Sequence, residues 1–92
     1  MTKVNHPFKI GKSYLIRTVT MIYTGKLEAV YDKELVISSA AWIAETKPWA
    51  ESVKTGEFNE VEPYPDKCLV TIGRGAILDA SPVDWKLPRE QK

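Results

Sequence analysis

The residues able to do covalent chemistry are few and far apart. The chain holds one histidine, His6, and one cysteine, Cys68. A cysteine nucleophile needs a base beside it, and His6 lies in the lead-in, far from Cys68 in sequence. Cys68 falls within an apolar stretch and reads as a small buried hydrophobe. A metal centre needs several ligands at workable spacing; no such cluster occurs, so no metal and no cofactor is expected. Glu57, Glu60, Glu62 and Asp66 concentrate negative charge. Acid–base work requires a cleft that shifts carboxyl pKa values, and a Pro-bounded extended segment offers none. These acids read as a solvated surface or as an edge that recognises a partner. Gly73-Arg74-Gly75 lacks the glycine spacing and the Lys-Ser/Thr of a phosphate loop. Without a nucleophile–base pair, a metal cluster or a cofactor fingerprint, the chain is expected not to be an enzyme.

Binding chemistry is better represented. Arg74 stands between two glycines, where its guanidinium can stack on a base or bridge phosphates. The competing assignments are a surface turn arginine and an intersubunit ion pair. Lys33 sits between Asp32 and Glu34, either lining a ligand site or simply in a solvated turn. Among the aromatics, Tyr14, Tyr23, Tyr31, Trp42, Trp49 and Trp85 include candidates for a single-strand stacking platform. Most are expected in the core or an interface. Tyr31, at the rim of the Asp32-Lys33-Glu34 turn, is the one best placed for stacking.

The elements that position these residues are mostly strands. Residues 1–11 form a lead-in pinned by Phe8 and Ile10. Residues 12–20, rich in β-branched and aromatic types, predict a first strand; the turn after it carries no Gly, Asn or Pro. A second strand spans residues 23–32, with Gly25 marking a bulge, bend or close approach. Residues 35–44 form an unusually apolar third strand, for which burial on both faces is expected, one face on the interior and the other on a neighbouring subunit. A buried helix over residues 38–45 is the rival reading. Pro48, a possible Thr46 cap and Gly56 bracket a short helix over residues 49–55, with Trp49 and Val53 on its docking face. Residues 67–73 predict a fourth strand and residues 76–80 a fifth, joined by a tight turn. Residues 81–92 are a polar tail anchored by Trp85 and Leu87. The fold class is therefore mainly β: a small five-stranded, strongly bent antiparallel SH3-like barrel with one short helix between strands 3 and 4. A five-stranded oligonucleotide-binding barrel is the alternative.

Size and charge set outer bounds. Ninety-two residues make one domain with a thin core, for which self-association is an added source of stability. Thirteen Lys and Arg against twelve Asp and Glu is not the balance of an obligate nucleic-acid binder, although a local basic patch remains compatible with it. No apolar run is long enough to span a bilayer, and the first seven residues lack a signal-peptide core. A soluble, unprocessed, cytoplasmic protein without a membrane partner is expected; a single cysteine fits a reducing compartment.

The order of motifs resembles the Sm and Sm-like family, which includes Hfq. Tyr23-Thr24-Gly25-Lys26-Leu27-Glu28-Ala29-Val30-Tyr31-Asp32, followed by the apolar run from Leu35, is similar to its first signature. Val70-Thr71-Ile72-Gly73-Arg74-Gly75-Ala76-Ile77 is similar to its second. The resemblance covers residues 12–82, with residues 46–66 as a helix-bearing insertion in the variable connection and residues 83–92 as a tail. It implies a homo-oligomeric ring in which the fourth strand of one subunit pairs with the fifth of the next, placing Val70, Ile72, Ile77 and Leu78 at the interface. It also implies single-stranded RNA as a ligand, with Arg74, Tyr31 and Lys33 at the site. The family's loop Asn is absent here, and Ala76 replaces the polar residue after Arg-Gly. The alternative is a structural or adaptor oligomer that binds no nucleic acid.

Overall fold

The computed structural model describes residues 6–92; the lead-in residues 1–5 lie outside them. The chain is mainly β, with strands β1 (Ser13–Thr18), β2 (Ile22–Val30) and β3 (Glu34–Thr46), helix α1 (Trp49–Thr55), and strands β4 (Phe58–Pro63), β5 (Val70–Gly73) and β6 (Ile77–Val83). All pairings are antiparallel. The sheet runs β4-β3-β2-β1-β6, with β5 also paired to β3, and it does not close on itself.

The strand count is thus six rather than the expected five. The additional strand, β4, alternates buried Phe58 and Val61 with exposed polar residues and pairs with the second half of β3. The acidic residues and prolines around it conceal a half-buried edge strand. β5 and β6, the strands expected on either side of a tight turn, pair with β3 and β1 respectively. Their connection is a 3₁₀ turn, Arg74–Ala76, which carries the chain across to β1.

Two strand-level devices bend the sheet. At Gly25 the β2–β3 register shifts, and a Cβ there would lie 2.9 Å from Ile37 Cδ1. In β3, Ser39 takes φ 48°, a left-handed conformation rare outside glycine. This twist divides β3 into a half that pairs with β5 and a half that pairs with β4. The unsignalled turn after β1 is built by a side chain. Thr18 Oγ1 accepts from Met21 N–H at 3.0 Å and donates to the Met21 carbonyl at 2.8 Å, the backbone mimicry that threonine performs in turns.

The sheet is buried on both faces. Tyr14, Ile16, Leu27, Leu35, Ile37, Ala40 and Ile72 form one core. Leu15, Ala41, Ile43, Phe58, Val61 and Val83 form a second, closed over by Trp49, Val53 and Trp85. The apolar third strand is therefore double-faced as expected, but its second face meets the chain's own helix, β4 and tail. A neighbouring subunit is not needed to cover it. The 49–55 helix has the expected bounds; Pro48 is its N-cap, with no side-chain cap hydrogen bond, and Gly56 closes it at φ 74°. Fully buried Ser52 ties its flanks together, accepting from Lys47 N–H and donating to the Glu57 carbonyl. In the lead-in, Phe8 packs on Tyr14 with ring centroids 5.8 Å apart, whereas Ile10 is exposed and pins nothing. No described helix is long and apolar enough to cross a membrane.

Candidate functional site

The turn between β2 and β3 is closed by Tyr31 N–H on the Glu34 carbonyl at 2.8 Å, leaving Asp32 and Lys33 at its tip. The 3₁₀ turn docks against this tip. Arg74 N–H donates to the Lys33 carbonyl at 2.8 Å. The Arg74 guanidinium donates through Nη1 to the Tyr31 carbonyl at 2.8 Å and reaches the Asp32 carbonyl at 3.3 Å. Tyr31 and Arg74, 43 positions apart in sequence, are thus brought together with Lys33 at one corner.

The corner has the makings of a ligand site. A shallow cavity of about 200 Å³ is lined by His6, Val30, Tyr31, Asp32 and Arg74. Tyr31 is 57% exposed, one of the most open large side chains of the described residues, and Lys33 is exposed beside it. Arg74 lies over the Phe8 ring, 5.7 Å from its centroid, within the range at which a cation is attracted to an aromatic face. With Nη1 bound to carbonyls, its remaining N–H groups stay available to an acceptor. Arg74 is consequently a pre-oriented cation, not a freely swinging turn arginine. His6 and Asp32 were not singled out as binding residues from sequence; only the docking of the 3₁₀ turn makes them part of the lining.

The four residues named for assembly separate. Ile72 is buried in the first core, and Val70 and Ile77 pack against that core. Leu78 alone is widely exposed, at 66%. Cys68 is half-buried and free. It lies outside the strands, in a turn where its N–H donates to the Pro65 carbonyl. The reading of Cys68 as a strand-core hydrophobe is corrected accordingly, since Lys67 at φ 66° breaks the extended run before β5 begins. Of the acidic stretch, Glu57, Glu60 and Glu62 are exposed, and Asp66 pairs with Arg89 at 2.9 Å. Among the described residues no group of three or more His, Cys, Asp or Glu side chains is placed to hold a metal.

Elsewhere the polar groups are structural. Arg17 forms an ion pair with Asp79 on the neighbouring strand, and its guanidinium lies 4.4 Å from the centroid of Trp49, fixing helix α1 to the sheet. The hydrogen bond from Arg17 holds the Asp79 carboxyl below its ordinary range. Burial, with Tyr23 nearby, raises the Tyr64 hydroxyl.

Comparison with protein-family models, curated proteins and solved structures finds no match to this chain. The functional reading therefore rests on the corner itself.

Proposed function

We propose that this chain is a non-catalytic, Sm-like module that assembles with copies of itself and holds single-stranded RNA at the Arg74 corner. The observation that carries the reading is the placement of an exposed tyrosine and a carbonyl-anchored arginine around one small cavity, with an exposed lysine in the adjoining turn. Stacking on Tyr31 supplies sequence-tolerant affinity. Lys33 and the free N–H groups of Arg74 meet the phosphates. Assembly is supported by the outer edges of β5 and β6, which have no strand partner among the described residues; such edges favour pairing with another chain. In this reading the bent sheet is a barrel completed by its neighbours.

The available edge on β6 is short. The Lys12 carbonyl accepts from Leu27 N–H of β2, and Thr18 N–H donates to the Met21 carbonyl just ahead of β2, so by alternation Tyr14 also turns its backbone groups to that side. Pro82, opposite Tyr14, then turns its nitrogen outward, where no N–H is offered. A register shift at the Thr18 end disturbs the other limit. A neighbour has only the middle of β6 to pair with.

A second reading, an assembly module without nucleic acid, is favoured by a specific observation. Val19 and Leu78 are both widely exposed, on neighbouring segments joined by the hydrogen bond from Val19 N–H to the Ala76 carbonyl. Together they offer an apolar contact beside the open edge.

Light scattering combined with titration of a labelled uridine oligomer across salt tests both. An oligomer whose RNA affinity falls with salt, and falls at least ~10-fold further in Arg74→Ala, is expected. An oligomer that binds no RNA selects the second reading. A monomer removes assembly from both, and equal binding by wild type and Arg74→Ala removes the corner.

A further inference from the structure

The corner's cavity has a lining residue that phosphate binding does not require, the exposed Asp32. A carboxylate repels phosphate, so an aspartate next to Arg74 calls for a ligand group with N–H donors. The described residues contain two ion pairs, Arg17–Asp79 and Arg89–Asp66; neither engages Asp32. Its backbone carbonyl is reached by Arg74 Nη1 at 3.3 Å, which fixes the residue's position in the turn. The cavity, about 200 Å³, lies below the roughly 300–1,000 Å³ of a drug-sized pocket and suits one planar ring system.

We infer that this corner selects guanine, with the Asp32 carboxylate accepting from the base's Watson–Crick edge while Tyr31 stacks on its face. A carboxylate presents two acceptor oxygens and no donor. Guanine alone among the four RNA bases offers two parallel donors on one edge, N1–H and the N2 amino group. Uracil offers a single N3–H flanked by two carbonyl oxygens, which face the carboxylate unfavourably. Adenine and cytosine each set one amino donor beside a ring-nitrogen acceptor, so one carboxylate oxygen meets a lone pair. Arg74, held from behind by the Tyr31 and Asp32 carbonyls, is left to the adjoining phosphate, and its charge offsets that of Asp32. The inference rests on the RNA-binding reading and adds base choice to it.

Fluorescence anisotropy separates the two. The probes are labelled hexauridine and the same hexamer with one central guanine, adenine or cytosine, titrated against wild type, Asp32→Asn and Arg74→Ala. Wild type is expected to bind the guanine hexamer about 10-fold or more tighter than hexauridine, the scale of one good bidentate pair. Asp32→Asn, which substitutes a donor for an acceptor on an exposed side chain, is expected to lose that preference, its affinities for the guanine hexamer and hexauridine converging. Equal affinity for all four hexamers, with binding lost in Arg74→Ala, would overturn base choice and leave RNA binding standing. A guanine preference that survives Asp32→Asn would overturn the role of Asp32. Failure to bind any hexamer would overturn both.

Discussion

The two ends of β3 are built on opposite terms. On the side of the second core, helix α1, β4 and the tail close over Ala41 and Ile43. Trp85 meets Phe58 edge-on at 5.8 Å and donates its indole N–H to the Val53 carbonyl at 2.8 Å. Even Lys92 pairs with Val61 on the outer edge of β4. At the other end, where β3 begins, the Asp32-Lys33 tip and Tyr31 stand open to solvent. Backbone carbonyls and the Phe8 ring restrain Arg74 there. In the capped region, apolar packing is closed over by the chain's own helix, β4 and tail. Exposed aromatic and charged groups on a rigid mount are concentrated in the other. A helix-bearing insertion and tail that cap the sheet free the opposite corner from a stabilising role.

The contrast is broken most directly by emptying the capped face. Phe58→Ala removes a nearly fully buried ring and is expected to lower stability by about 3–5 kcal/mol, whereas Tyr31→Ala at the open corner should change it by less than about 0.5 kcal/mol. Urea titration of both variants checks the difference; comparable losses would mean the corner is also structural.

A smaller effect is expected at Gly56. A Cβ there would lie 2.4 Å from Trp85 Cδ2, and φ 74° is left-handed. Gly56→Ala should therefore destabilise by about 1–2 kcal/mol from the backbone alone and in addition displace the indole. A red-shifted tryptophan emission under native conditions would report that displacement. An unshifted spectrum would show that the tail is held independently of this contact.

The smallest effect belongs to the Arg17–Asp79 pair, which joins the sheet to Trp49. Because Arg17 holds the Asp79 carboxyl low, its stabilisation is present above the ordinary aspartate range, near pH ~4, and is lost as pH falls through the folded value. Asp79→Asn should melt slightly below wild type at pH 7, with the gap closing below about pH 4. A gap independent of pH would assign the effect to packing.

Much of this fold is legible in the residues. The helix between Pro48 and Gly56 is legible because both ends carry their own signals. Gly25 marks the bend because no side chain fits beside Ile37. β4 is not legible as a strand, since its exposed half is acidic and its end is Pro63; partnership with β3 overrides weak local preference. The turn after β1 is hidden for a related reason: a single threonine hydroxyl does what a glycine or asparagine usually signals. At the candidate site, Arg74, Tyr31 and Lys33 are legible one by one, while His6 and Asp32 are not.

By itself the sequence determined that the chain is mainly β and where the helix starts and stops. These depend on neighbours along the chain and on residue chemistry. Only the tertiary structure decided that β5 and β6 part company, that the apolar third strand is covered by its own chain, and that Arg74 rests on the Tyr31 and Asp32 carbonyls. Each of these depends on which distant backbone groups find one another, and hydrogen-bond partners of that kind leave no trace in local pattern.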